Sequence, residues 1–235
     1  MPVNNTGFIS TNSDLKSILI SKDMFAEGGL WLWGAASYGQ LGDNARTSRP
    51  SPVQTVSGGI NWKQVACGTE HTAAIKTDGT LWMWGRNELG ELGTNDRTTR
   101  SSPVQTVSGG TNWKQVACGS LHTAAIKTDG TLWTWGLNSI TAPGQLGTND
   151  TTDRSSPIQT VSAGTNWKQV SGGSSSTAAI KTDGTLWGWG SGTSGQLGTN
   201  DFTTRSSPIQ TVAAGTNWKQ VDCGQFFTAA VKDDN

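Results

Sequence analysis

The sequence predicts an all-β fold, a β-propeller of four-stranded blades with about four repeats of ~51 residues and a non-repeat N-terminal arm. Two phrases that each recur four times are the main observation. Leu-Trp-x-Trp-Gly begins at Leu30, Leu81, Leu132 and Leu186, and Asn-Trp-Lys-Gln-Val begins at Asn61, Asn112, Asn166 and Asn217. The 31 glycines and the low charged fraction of 14% suit tight turns between short strands rather than long helices.

The first complete unit shows the strands expected in one blade. We predict a first strand at Trp62–Cys67, a second at His71–Lys76 and a third at Leu81–Trp84. The Asp-Gly pair between the second and third strands favours a tight hairpin, because these residues tolerate positive φ. A fourth strand, Val104–Val107, follows a proline and is expected at a sheet edge, since proline cannot donate to a central ladder.

Small sheets with one apolar face must bury that face against their neighbours, and radial stacking does so. The second strand of each unit carries an alanine pair, which fits an inner position where blades converge. All twelve tryptophans are in register with the repeat. We interpret them as packing between blades, because periodic apolar positions first indicate a core. A tryptophan platform for a ligand is the alternative.

The N-terminal arm, residues 1–28, lies outside the repeats, and residues 29–235 form the predicted propeller domain. Ser13 could cap a short helix whose apolar residues share one face. The arm either packs across the propeller's own rim or docks on another subunit. We favour docking, through Leu15, Ile18, Leu19 and Phe25.

Charge and composition exclude several classes of function. Lys plus Arg and Asp plus Glu are both 17, and no basic run stands out, so nucleic acid is not expected as a partner. No apolar run approaches the ~20 residues of a membrane-spanning helix, and the N-terminus lacks the pattern of a signal peptide. We therefore expect a cytoplasmic location. Cys67, Cys118 and Cys223 occupy equivalent repeat positions, which favours buried small residues over disulfides.

One unit carries a motif in three parts: Val65-Ala66-Cys67-Gly68-x-x-His71-Thr72-Ala73-Ala74, Asp78-Gly79-Thr80-Leu81-Trp82-x-Trp84-Gly85 and Gly90-x-Leu92-Gly93. This motif resembles the regulator of chromosome condensation repeat, and the resemblance covers about Gly29 to Lys232. It implies a β-propeller, although well-known members have seven blades. The family's best-known activity is guanine-nucleotide exchange on a small GTPase, with histone binding beside it, but the matching motif is scaffold and carries no residue specific to that activity. Highly similar repeats with this sequence pattern also resemble those in structural proteins of marine bacterial viruses, which implies a virion as the location if the protein is viral.

The two ends of the repeat region are complementary. The chain enters its repeats at a third strand, Leu30–Gly34, and leaves them after a second strand, Thr228–Lys232. Pairing of these segments would complete one more blade, within one chain or between two.

Catalytic chemistry is not expected. The two histidines, His71 and His122, occupy the same repeat position, so no asymmetric catalytic constellation forms around them. Zinc held by these histidines with Cys67 and Cys118 is the alternative, but Cys-x-x-x-His across a turn is not a standard zinc spacing. We therefore predict no catalytic residue, no metal and no cofactor.

Loop tips that differ between otherwise repeated units are the candidate binding residues. They are Tyr38, Glu70, His71, Arg86, Glu88, Leu121, His122, Phe226 and Phe227. Either recognition is tuned there, as on many loops of rigid scaffolds, or these are exposed positions that vary freely. Leu121, Tyr38 and the two phenylalanines could form one apolar patch.

The expected function is that of a non-enzymatic structural or recognition module. The partners would be other proteins, in a larger assembly or a homo-oligomer. A phage structural, decoration or adhesion protein is the leading hypothesis. A nucleotide exchange factor or another cellular protein-binding propeller is the alternative.

Overall fold

The structure is a computed structural model that describes residues 28–57, 59–139, 144–162, 164–213 and 215–233. The predicted docking residues Leu15, Ile18, Leu19 and Phe25 lie outside the described residues, so the docking arm stays a prediction.

Sixteen strands and no helix are found in these ranges. In chain order they are β1 Trp31–Gly34, β2 Arg49–Gln54, β3 Trp62–Cys67, β4 His71–Lys76, β5 Leu81–Gly85, β6 Arg100–Gln105, β7 Trp113–Cys118, β8 His122–Lys127, β9 Leu132–Gly136, β10 Arg154–Gln159, β11 Trp167–Gly172, β12 Ser176–Lys181, β13 Leu186–Gly190, β14 Arg205–Gln210, β15 Trp218–Cys223 and β16 Thr228–Lys232. The predicted all-β class is confirmed.

The strands form three complete blades and two half-blades. β3–β6, β7–β10 and β11–β14 each make a four-stranded antiparallel sheet, and β1–β2 and β15–β16 each make a two-stranded one. The prediction of four-stranded blades is therefore confirmed. The first three predicted strands of the unit match β3, β4 and β5 to within one residue.

The fourth predicted strand, Val104–Val107, was placed too late, because β6 runs from Arg100 to Gln105. Its register with β5 shifts between Met83 and Gly85. An irregularity of this kind lets an edge strand carry Pro103, which has no N–H to donate, without breaking the central ladder.

The first strand of each unit lies innermost, and β3, β7, β11 and β15 adjoin one another in order. The second strand comes next, and its two alanines face different neighbours: Ala73 packs with Trp113 and Trp135, and Ala74 packs with Trp62 and Trp84. Small side chains here leave room for the indole rings that fill the space between blades.

The interpretation of the tryptophans as inter-blade core is confirmed inside the array and fails at its start. Those buried almost completely are Trp84, Trp113, Trp135, Trp167 and Trp189. Trp31 and Trp33 on β1, by contrast, are 53% and 62% exposed. Their repeat equivalents are covered by a preceding blade, which β1 does not have within the described residues.

The blades form an open arc in the described part of the chain. There, β1 pairs only with β2 and β16 pairs only with β15, so the two end segments do not complete a blade within one chain. Val65 on β3 is 45% exposed, whereas the equivalent Val116, Val170 and Val221 are 2% exposed.

The three cysteines are free. Cys118 and Cys223 are half-buried, but Cys67 is exposed, so the expectation of a buried residue is wrong for Cys67. The reason is its place on β3, the innermost strand at the open start of the arc.

Candidate functional site

Most polar contacts in the long loops repeat from blade to blade and belong to the scaffold. In the three complete blades, an arginine at the start of the fourth strand pairs with an aspartate four residues earlier, as in Asp96–Arg100. The asparagine before that aspartate takes a left-handed conformation, with φ near 59° at Asn95. In the first unit, Arg49 pairs with Asp43, six residues earlier. Contacts that recur in the complete blades hold the loops in shape, so a specific site must be sought where the units differ.

One such place surrounds Arg86, which follows β5. Its guanidinium donates to Glu70 Oε2 and to Glu88 Oε2, both at 2.7 Å. The ring of Tyr38 from the preceding unit lies against it, with 5.3 Å between Cζ and the ring centroid. Glu91 Oε1 is 3.8 Å from Arg86 Nε. We call Tyr38, Glu70, Arg86, Glu88 and Glu91 the Arg86 cluster.

The structure thus brings together four of the sequence-predicted binding residues. In the other units the position of Arg86 holds Ala35, Leu137 or Ser191, and none of these side chains can organise carboxylates. The cluster is consequently unique among the four repeats, and the signal that revealed it was variation inside a near-identical repeat.

Sequence reasoning missed Glu91. The other units have glutamine at its position, namely Gln40, Gln145 and Gln196, so a single change to a carboxylate was the available signal. Glu91 is fully buried, and Leu89 N–H donates to its Oε2 at 2.8 Å. Burial raises the pKa of the Glu91 carboxyl, while backbone N–H donors and Arg86 oppose that rise.

We predict that Glu91→Gln stabilises the fold by about 1 kcal/mol at pH 7, because it removes a buried charge and keeps an acceptor for Leu89 N–H. The sign follows from the raised pKa. The folded chain binds the Glu91 proton more tightly than the unfolded chain does. The free-energy cost of the buried charge therefore appears as pH rises above the ordinary pKa of glutamate. The gain should therefore vanish near pH 4 in chemical unfolding experiments.

The reverse change in another blade is the matched control. Gln196→Glu places a carboxylate where Ser194 N–H donates at 2.8 Å, but Ser191 stands in the position of Arg86. We expect it to destabilise the fold at pH 7. A Glu91→Gln variant that loses stability at pH 7 would contradict the assignment of Glu91 as a buried charge that destabilises the fold.

The Arg86 cluster is acidic overall, since three carboxylates surround one guanidinium. The side chain of Glu88 is 55% exposed and that of Glu70 is 28% exposed, so acceptor oxygens of both remain open to solvent. Carboxylates held in place by an arginine can accept further charge-assisted hydrogen bonds from an ammonium or guanidinium group. The Tyr38 ring adds an apolar surface beside them.

The structure corrects the prediction for His71 and His122, which are buried and do not lie on the loop surface. His71 Nε2 is 3.0 Å from Thr123 Oγ1, and that hydroxyl donates to the Glu91 carbonyl. Because the hydroxyl proton is used there, Nε2 must carry the proton of the neutral ring and donate it to Thr123. His122 repeats this arrangement with Thr177. Both histidines link neighbouring blades.

The residues predicted to form one apolar patch lie in different parts of the molecule. Tyr38 lies against Arg86, and Leu121 is half-buried. Phe226 and Phe227 are exposed and line a pocket of about 320 Å³ at the end of the arc, together with Trp218. The two phenylalanines thus belong to a different part of the molecule from Tyr38.

Among the described residues, no group of three or more histidine, cysteine, aspartate or glutamate side chains is placed to hold a metal ion. The two histidines of the zinc alternative instead contact threonines of the next blade. Within the same ranges, no helix is long and apolar enough to span a bilayer.

Known proteins share both this sequence pattern and this fold. The family described as RCC1-like domain matches residues 17–235. The chain belongs to this family. The match begins within the segment predicted as an arm, and the boundary at residue 28 stays a prediction.

Individual relatives extend well beyond this RCC1-like chain. The ultraviolet-B receptor UVR8 of Arabidopsis thaliana is 39% identical over 215 residues, which are 89% of this chain and 48% of the receptor. The probable E3 ubiquitin-protein ligase HERC4 of Homo sapiens is 32% identical over 77% of this chain, but that is 17% of the ligase. The chain therefore spans half or less of the length of these relatives.

A solved structure confirms the fold of the RCC1-like chain. Prp20p from Saccharomyces cerevisiae, described with its binding properties to Gsp1p and histones, superposes with a TM-score of 0.75 at 22% identity. The superposition covers 88% of this chain and 53% of Prp20p. The arc thus follows about half of that larger fold.

Proposed function

We propose that this chain is a non-enzymatic recognition module that binds a lysine- or arginine-rich segment of another protein at the Arg86 cluster. The observation that carries the proposal is the pair of partly exposed carboxylates, Glu70 and Glu88, held on Arg86 at 2.7 Å. Holding them in advance lowers the entropy lost on binding, which is a general source of affinity.

The position of the cluster supports recognition rather than a scaffold role. Its residues come from two neighbouring units, since Tyr38 belongs to the β1–β2 loop whereas Glu70 and Arg86 flank β4 and β5. This arrangement of charged residues occurs in one unit, although most other positions of the four units have the same residue. Loops on rigid scaffolds often carry binding residues in this way.

A non-enzymatic role accords with the family relationship. HERC4 is a probable ligase, but the shared region is 17% of its length. Ligase activity therefore does not transfer to this chain. Function in repeat scaffolds depends on the particular site and not on the fold.

The biological setting is a narrower proposal. We propose a structural, decoration or adhesion protein of a phage particle, supported by the resemblance of the repeats to those of viral structural proteins. The cellular alternative, which includes a nucleotide exchange factor, is supported by relatives such as UVR8 and HERC4. Faster nucleotide release from a small GTPase at catalytic concentrations of the chain would favour an exchange factor.

Binding of an oligolysine peptide, measured by calorimetry at low salt, tests the proposed site. We expect the double substitution Glu70→Gln and Glu88→Gln to weaken binding about tenfold to a hundredfold. Each glutamine keeps a neutral acceptor and loses only the charge assistance of its hydrogen bond, about 1 kcal/mol per bond. The double substitution Asp78→Asn and Asp129→Asn is the matched control. It also removes two carboxylates, here from exposed hairpins, and leaves Asn-Gly, which suits both turns.

The proposal predicts that the control binds the peptide as the parent chain does, and that an oligoglutamate peptide does not bind. Equal losses of affinity in the control and in the Glu70→Gln and Glu88→Gln variant would show that only overall charge matters. In that case the Arg86 cluster is not the site.

A further inference from the structure

The two ends of the arc present matching halves of one blade. In the complete blade, β4 and β5 pair in a fixed register, with Thr72 opposite Trp84 and Ala74 opposite Trp82. β16 repeats the sequence of β4, and β1 repeats that of β5. Residues of β4 are buried, whereas β16 alternates between half-buried and exposed, with Val231 at 55% exposure.

We propose that β16 of one copy of this chain pairs with β1 of a second copy and completes a four-stranded blade between them. The register follows from the complete blades. Thr228 would lie opposite Trp33 of the second copy, and Ala230 would lie opposite Trp31. Open sheet edges favour such pairing, because their backbone donors and acceptors are free.

A pocket at the end of the arc fits the indole ring of Trp33. Within the arc, Trp84, Trp135 and Trp189 each donate from Nε1 to the carbonyl of a loop residue, at 2.8 to 3.0 Å. The corresponding fourth carbonyl, that of Gln196, receives the Thr228 hydroxyl. Gln196 and Thr228 line the 320 Å³ pocket.

The glycines of these loops confirm the correspondence. Gly42, Gly93 and Gly147 each lie against the indole ring of the following blade, so that an added Cβ would be 2.8–2.9 Å from its nitrogen. The fourth such glycine, Gly198, lines the same pocket and has no tryptophan within 4 Å of that position. Trp33 of a second copy supplies the ring that this position meets in every other blade.

The innermost strands of neighbouring blades are also joined by a pair of hydrogen bonds from a glutamine side chain to a valine backbone, which we call the clasp. Gln64 donates to the Val116 carbonyl at 3.0 Å and accepts from the Val116 N–H at 3.1 Å. Gln115 and Gln169 make the same pair of bonds to the next blade. Gln220 at one end is exposed and has no such partner within the described residues, and Val65 at the other end is 45% exposed. These two residues are the missing halves of one more clasp.

A second copy is the occupant that satisfies all of these features together. Within the described residues, each open end lacks what the other end provides: strand, indole ring and clasp. An interface of this head-to-tail kind joins different surfaces of identical chains and repeats until a ring closes. It lies at the ends of the arc and is independent of the Arg86 cluster.

Light scattering after size exclusion tests the proposal. We expect the chain to elute with a mass of two or more times 24.7 kDa, in whole-number steps. Trp33→Ala should reduce that mass to a single chain at the same concentration. Gln220→Ala should weaken association about tenfold or more, because two hydrogen bonds of about 1 kcal/mol each are lost.

Two controls separate association from folding. Gln64→Ala removes the same clasp inside the arc, so it should lower the midpoint of unfolding and leave the mass unchanged. Val161→Ala removes an exposed apolar side chain elsewhere and should change neither quantity. A single-chain mass at every soluble concentration would overturn the proposal. An oligomer that persists in both Trp33→Ala and Gln220→Ala would overturn it as well.

Discussion

Replacement of Trp135 by alanine is expected to destabilise the fold by about 3–5 kcal/mol, the range for large aromatic side chains in a packed core. Trp135 is fully buried between two blades and meets Trp113 edge-to-face at 6.1 Å between ring centroids. Its Nε1 donates to the Glu91 carbonyl at 2.8 Å. The substitution removes the ring contacts and leaves that carbonyl with the Thr123 hydroxyl as its side-chain partner. Chemical unfolding followed by circular dichroism measures the loss.

Trp33 occupies the same repeat position as Trp135 and provides the matched control. Because its side chain is 62% exposed in the single chain, Trp33→Ala should cost about 1 kcal/mol or less in dilute, monomeric protein. Equal losses for the two variants would mean that Trp33 is buried in the single chain. That result would contradict the open arc.

The sequence was sufficient for the strands near the repeated phrases. The first three strands of each unit follow from a period of two in apolar residues and from an Asp-Gly turn, and both are local signals. The start of the fourth strand, at Arg100, could not be predicted from proline alone. It depends on a register shift against β5, which is a property of two strands together.

Exposure at the ends of the arc depends on contacts that sequence patterns do not specify. Val65 and Val116 have the same neighbours in sequence, but within the described residues only Val116 has a blade packed in front of it. The identity of two repeats therefore predicts the same local structure and not the same burial.

The candidate site was predictable to the extent that it departs from the repeat. Variation identified Glu70, Arg86, Glu88 and Tyr38, which the structure brings together. The same criterion selected His71, although its position is an inter-blade contact. Variation between repeats shows where the units differ in sequence. It does not show whether a side chain points to solvent or into the core, because that depends on how the next blade packs.

Lowering the pH from 7 to 5 is expected to reduce the free energy of unfolding by about 4 kcal/mol through His71 and His122 together. Burial lowers the pKa of His71 to about 3, with a further decrease from the nearby His122, and burial lowers the pKa of His122 to about 4. Both rings therefore stay neutral in the folded chain over this range. The same rings in the unfolded chain take up protons below their ordinary pKa of about 6.5.

The sign of this pH dependence follows from where the protons bind. The unfolded chain binds more protons than the folded chain between pH 6.5 and about 4, so acid favours unfolding, and the histidine contribution is complete above pH 7. Aspartates with lowered pKa, such as Asp96, act in the same direction but at lower pH, below the ordinary pKa of a carboxyl group. The raised pKa of Glu91 acts in the opposite direction.

The double substitution His71→Gln and His122→Gln isolates the effect. Glutamine can keep a donor near the threonine hydroxyl but does not titrate, and the third complete blade already has the neutral Ser176 at this position. We expect the variant to be less stable than the parent at pH 7, because the smaller side chain packs less well, and to lose little further stability between pH 7 and pH 5. Equilibrium unfolding in urea across this range measures both slopes. If the parent and the variant lose stability in parallel, the histidines are protonated in the folded chain. That result would contradict the assignment of neutral rings that donate to Thr123 and Thr177.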